Sequence, residues 1–162
     1  MMQTEVVMKM KETYLQVDDL SGNGGDAPGA GAMQDDVPAP RIKASEVVAL
    51  ARDMGVSKKK LIRALGFDRG EILHKAYSDG YLDSTQSELV IHFLGIIAKV
   101  NELYFDGTPD ALSLVARREM ARFLDWRPFT LGCRRASGYF SSLEGQALVK
   151  QEIVADFFGV CP

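Results

Sequence analysis

From Arg41 onward, apolar side chains return every three or four positions, the period of helices that turn one face inward. Ser45 is the predicted N-cap of a first helix holding Val47, Val48, Leu50 and Ala51 and stopping near Gly55. Ser57 caps a second, with Leu61, Ile62 and Leu65 ahead of Gly66. Asp68 and Glu71 stand three apart as a capping box, which starts a third helix at Arg69 running through Ile72, Leu73 and Ala76. Gly70 weakens its first turn, since glycine loses the most backbone entropy there, and Gly80 is the expected stop.

A second capping pair, Asp83 and Gln86, precedes the longest periodic stretch: Leu89, Val90, Phe93, Ile96, Ile97, Val100, Leu103 and Tyr104. This is a long amphipathic helix, broken at Asp106-Gly107. Thr108 as N-cap and Pro109 at the first helical position begin another, using proline where its missing donor is harmless. Leu112, Val115, Ala116, Met120, Phe123 and Leu124 form its inward side, and Trp126 and Pro128 mark its exit. Glycines at 132, 138 and 145 punctuate the tail, and a last helix uses Leu148, Val149, Ile153 and Phe157. The pattern predicts an all-α chain, with a helix-turn-helix-like unit at 41–81 and a second helical unit at 82–162.

Ahead of these helices, Leu20–Pro40 is rich in glycine and proline and poor in large apolar side chains, so it reads as a flexible linker with little to bury. Glu5–Val17 mixes charge with Val6, Val7, Met8, Met10, Tyr14, Leu15 and Val17, a pattern compatible with a short strand, a partner-binding arm or an unordered tail. The 162 residues suffice for a real hydrophobic core, because a chain of this size buries about 68–70% of its extended surface. The beginning of the chain lacks the unbroken apolar core of a signal peptide, and there is no membrane-length apolar run, so a cytoplasmic setting is expected.

Charge sharpens the picture. The net charge of −3 divides unevenly: residues 1–40 carry two lysines against seven acids, leaving a positive balance on the helical part. Val56–Lys75 holds Lys58, Lys59, Lys60, Arg63, Arg69 and Lys75 against Asp68 and Glu71, a balance of +4. Arg117–Arg135 has six arginines against Glu119 and Asp125, again +4. An acidic whole argues against a protein that wraps nucleic acid but leaves room for a local DNA-reading face. Two short helices around the turn at Gly66-Phe67 have helix-turn-helix spacing, in which the second helix enters the major groove. Lys58, Lys59 and Lys60 would then meet phosphates, Arg69 and Lys75 would face the duplex from the second helix, and Arg63 is a further DNA-binding candidate. The same residues are equally those of a bundle corner with a solvated lysine run.

Metal and catalytic chemistry find little support. Cys133 and Cys161 form no close-spaced pair, and His74 and His92 are far apart, so no metal site is expected. His74 and Cys133 have nothing in their spacing to orient them as base and nucleophile, and there is no phosphate-loop, zinc-protease or dinucleotide motif. Neither an enzyme nor a cofactor is expected.

Residues 46 to 156 resemble bacterial antitoxins of the Xre/MbcA/ParS group. The likeness rests on the order of features: the helix-turn-helix-like stretch, the long helix from Glu88 to Phe105, then ARFLDWRPFTLGCRRASGYFSSLEGQALV. Family members place an aromatic-Leu pair before a proline-containing turn and a Leu-Gly-Gly step, with a glycine shortly before the final helix. Phe123-Leu124, Pro128, Leu131-Gly132, Arg134, Gly145 and Val149 fall at or near those places. Cys133 stands where a second glycine is usual, Ala136 where a helix-opening proline is common, and Arg127 at the usual proline, with Pro128 one residue later. The resemblance implies an antitoxin that sterically blocks an enzyme consuming NAD or transferring ADP-ribose, and that binds its own operator as a homodimer. It implies toxin contacts in the C-terminal unit, where Phe129, Leu131, Arg134, Arg135, Tyr139 and Phe140 are the candidates; the aromatics among them are equally fitted to an ordinary core. A DNA-binding regulator without a toxin is the alternative. The long helix adds its own reason for a dimer, since its apolar positions 89/93/96/100 and 90/97/104 exceed what one small neighbour would cover.

Overall fold

Six α-helices and two short 3-10 turns make up the residues that the computed structural model describes, 40–104 and 114–159. The helices are α1 (Ala44–Asp53), α2 (Lys58–Ala64), α3 (Arg69–Tyr77), α4 (Ser84–Leu103), α5 (Leu114–Asp125) and α6 (Leu143–Phe158). The turns are Phe129–Leu131 and Ala136–Gly138. Among the described residues no strand forms, and a lone bridge joins Lys43 to Tyr81. The all-α expectation holds there. The N-terminal arm and linker, the Asp106-Gly107 break, the Thr108-Pro109 start, Leu112 and Cys161 lie outside the described residues.

Local chemistry sets most helix starts. The Ser57 side chain accepts from the Lys60 N–H, and Asp68 from the Glu71 N–H. Asp83 and Gln86 form a full capping box, each side chain satisfying the other's backbone. The Asp68–Glu71 pair is half of one, because the Glu71 carboxylate turns instead to Lys75 and Gln86. Ser142 caps α6 through the Gly145 N–H, so Gly145 lies inside the helix and not before it.

Ser45 is not a cap. α1 starts two residues earlier than that cap would set it, at Ala44 behind Lys43, whose side chain makes no capping bond. The reason is tertiary: the Ala44 N–H donates to the Gly80 carbonyl at 3.0 Å, and the Leu82 N–H to the Ile42 carbonyl at 2.8 Å. With the Ile42 N–H on Ser87 Oγ, these bonds stitch the start of α1 to the segment leading into α4, leaving Ile42, Leu82 and Ser87 buried. The stop near Gly80 also shifts. α3 ends at Tyr77, and Asp79 takes the left-handed conformation (φ 55°), which aspartate tolerates better than most side chains.

α1 packs on α2 and α3, while α4 packs on α5 and α6. The first group buries Val47, Leu50, Ala51, Met54, Leu61, Ile62, Leu65 and Ile72. The second is built around Phe93, edge-on to Phe140 with ring centroids 5.2 Å apart, together with Met120, Phe123, Leu124, Val149 and Ile153. Both apolar flanks of α4 are covered within the chain: Leu89, Val90, Phe93, Ile96, Ile97 and Val100 are all buried. The long helix therefore gives no reason for a dimer. Val115, Leu148 and Phe157, expected inside, are 43%, 46% and 40% exposed.

Burial in the core sets two measurable expectations. Phe93→Ala should lower stability by about 3–5 kcal/mol and Ile97→Ala by about 2–5 kcal/mol, read as a fall in the urea midpoint. The second concerns Glu46, whose Oε2 is buried and accepts no hydrogen bond from a described residue. Burial pushes its carboxyl above the ordinary value, and nearby Lys43 offsets part of that. A folded pKa above the unfolded one favours folding below about pH 4.3, and that contribution is lost as pH rises through the folded value. Glu46→Gln should therefore be more stable than the parent at neutral pH, with the difference closing below about pH 4 in parallel thermal melts.

Candidate functional site

Two surfaces carry the residues singled out by sequence, one on α2 and α3 and one on the segment between α5 and α6. α2 and α3 are joined by Leu65–Asp68. Gly66 in this turn has φ 75°, and a Cβ there would sit 2.7 Å from Cβ of Ser141, so the turn lies directly against the second surface.

The six predicted DNA contacts divide by what they touch. Lys58, Lys59, Arg63 and Arg69 are exposed and form no ion pair with a described residue. Lys60 is tied to Asp125 on α5, and this ion pair holds the aspartate below the usual carboxylate range. Lys75 pairs with Glu71 one turn away and reaches Gln86 Oε1 at 3.3 Å. The hydrogen bond from Lys75, then that from Gln86, lowers the Glu71 carboxyl. These contacts compete with phosphate for two of the six cations.

Ile72 fixes which way α3 faces, because it is its buried residue. At 100° per residue, Arg69 and Lys75 fall on the two flanks of Ile72, so neither lies on the outward stripe. That stripe is Gly70, His74 and Tyr77, all exposed, Tyr77 to 80%. Charge alone does not reveal it; counting i, i+4 and i+7 on the side away from Ile72 does.

The segment Trp126–Ser142 is a loop with three arginines and no acid. Its Ala136 N–H donates to the Trp126 carbonyl at 2.8 Å, closing it on itself. The Gln146 side chain pins its far end by donating to the Phe140 carbonyl. Phe129 projects from the first 3-10 turn at 88% exposure, and Arg127 and Arg134 are exposed without an ion pair to a described residue. Arg135 is exposed with its charge acting on Asp125. Leu131 and Tyr139 are half-buried, the tyrosine hydroxyl reaching the Leu131 carbonyl at 3.4 Å. Phe140 is fully buried against Phe93 and belongs to the core, because its ring fills the gap between α4 and the loop.

Gly132 and Cys133 are consecutive left-handed residues, at φ 62° and 56°. The Gly132 N–H donates to the Phe129 carbonyl and the Cys133 N–H to the Pro128 carbonyl, which fixes this step. The remaining chemical candidates do not converge. His74 is on α3, His92 is exposed on α4, and no group of three or more His, Cys, Asp or Glu is placed for a metal among the described residues. Among those residues, no helix is long and apolar enough to cross a membrane.

The loop geometry separates two substitutions. Cys133→Gly should be neutral or stabilising by up to about 1 kcal/mol, since glycine enters the left-handed region without strain, offset by its larger unfolded entropy. Ala136→Pro should cost roughly 1–3 kcal/mol by removing the N–H that the Trp126 carbonyl accepts and by enlarging a fully buried side chain. Thermal melts of the two variants check both signs. Comparison with family models, with curated proteins and with solved structures finds no match to this chain.

Proposed function

We propose that this chain is a cytoplasmic antitoxin whose Trp126–Ser142 loop binds and sterically blocks a toxin enzyme that consumes NAD or transfers ADP-ribose, and whose α2–α3 unit binds operator DNA. The observation carrying the reading is the Gly132-Cys133 step. Where the resembled family has two glycines, this chain holds both residues in the left-handed conformation that glycine favours. The departure at Cys133 thus leaves the backbone at both positions in the region that glycine enters without strain. Ala136 is a departure of another kind, since its N–H is used where proline has none.

Phe129 and Arg134 are the proposed anchors. A large exposed aromatic and an open arginine on a loop tied at both ends bind at small ordering cost, and such residues dominate interface energies. The loop's cations suit acidic groups at the mouth of a toxin's cleft. Phe140 has no part in this contact, and Leu131 and Tyr139 support the loop from beneath.

A second reading, a DNA-binding regulator without a toxin, is favoured by Lys58, Lys59, Arg63 and Arg69, which pair with no described acid. Two copies related by a two-fold axis would set their α3 helices on successive half-sites. The readings part on one experiment: co-purification with the product of the adjacent gene, with NAD consumption measured before and after mixing. The antitoxin reading expects a stable complex and suppressed NAD consumption. Arg134→Ala should weaken that complex by roughly 2–5 kcal/mol through loss of a desolvated charge pair. A folded parent that neither co-migrates with the neighbouring product nor alters NAD consumption rejects the reading.

A further inference from the structure

The outward stripe of α3 carries neither a carboxylate nor a Lys or Arg, and open cations lie on α2 and at the start of α3. Gly70, His74 and Tyr77 come at i, i+4 and i+7 on the side opposite Ile72. Lys58 and Lys59 at the start of α2, Arg63 on α2 and Arg69 at the start of α3 are exposed without ion pairs to described residues. Of the acids beside the stripe, Glu71 is engaged by Lys75 and Gln86, and Asp68 accepts from the Glu71 N–H as the helix cap. An exposed imidazole and aromatic strip on a helix pair that also carries open cations suits a duplex-reading helix, in which phosphate contacts position the protein and base contacts specify the sequence.

Resting on the DNA-binding half of the proposed function, we propose that His74 and Tyr77 are the base-contacting residues of α3 and set its sequence preference. A helix of nine residues spans about 13 Å at 1.5 Å per residue and fits within the major groove, which admits a single α-helix. His74 carries one ring N–H and one bare ring nitrogen, or two N–H donors when charged, and an N–H matches the O6 and N7 acceptors of guanine. The Tyr77 ring is apolar surface for a thymine methyl, and its hydroxyl both donates and accepts. Neither side chain is part of the core, so both can be removed without opening a cavity.

The test uses the full chain and a random-sequence DNA duplex library, selected by binding and sequenced, with the parent, His74→Ala, Tyr77→Ala and the double variant Lys58→Ala/Lys59→Ala. Circular dichroism establishes that all are folded. The parent is expected to enrich a defined motif. His74→Ala and Tyr77→Ala should bind unselected duplex within about twofold of the parent, yet lose preference for the motif by about fivefold or more at one position each. The double lysine variant should weaken binding to all duplexes alike and flatten the salt dependence by roughly two phosphate contacts, with the motif retained. An unchanged motif preference in both α3 variants overturns the proposal. So does a parent that binds duplex but enriches no motif, an outcome that leaves the DNA-binding reading standing. A parent that binds no duplex at all overturns the DNA-binding reading and this assignment with it.

Discussion

The buried side-chain amide of Gln146 ties together three parts of the chain that share no backbone ladder. From α6 it donates to the Leu89 carbonyl of α4 and to the Phe140 carbonyl at the end of the loop. Both bonds lie in a site closed to water, where a lost partner costs the full desolvation of the group left behind. Phe140 is held by its backbone there and by its ring against Phe93, so the loop has a fixed footing in the core. Gly145 adds a steric condition, since a Cβ at this position would collide with the Tyr139 carbonyl. Only a glycine lets the end of the loop lie this close to the first turn of α6, and that approach brings Gln146 to its two carbonyls.

Ion pairing then decides what the surfaces can offer. By composition the α2–α3 stretch and the Arg117–Arg135 stretch look alike, each with six cations and two acids. In the fold they differ. On the first, Lys60 and Lys75 are drawn to Asp125 and Glu71, which leaves four cations open. On the second, Arg122 bridges Glu119 and Asp156 and stacks over Phe123, so it is part of the α5–α6 contact. The arginines left open are Arg118 on α5 and those of the loop beyond Asp125, none of which forms an ion pair with a described residue. Exposed pairs of this kind contribute little to stability, but they set which positive charges remain available to a partner.

The Lys60–Asp125 pair and the Gly66–Ser141 contact also bring the two proposed surfaces together. The turn between α2 and α3 leans on the end of the loop, and the first turn of α2 is linked to the last residue of α5. Under the proposed function, the DNA-facing helices and the toxin-facing loop are built on one support.

Helix type, order and most helix starts are legible in the residues themselves, because capping and amphipathic periodicity act over three or four positions. Ser57, Asp68 and the Asp83–Gln86 box each act within a single turn and need no information from elsewhere in the chain. Ser45 misleads for the opposite reason: the orphan N–H of Ala44 finds Gly80, far along the chain, and no local rule reveals that bond. The site shows the same division. Periodicity around Ile72 is enough to define the outward stripe of α3, and exposed arginines can be anticipated from composition. That Lys60 is already paired with Asp125, and that Phe140 is core while Phe129 is bare, are settled only by tertiary contacts, since each depends on groups brought together by folding and not by sequence.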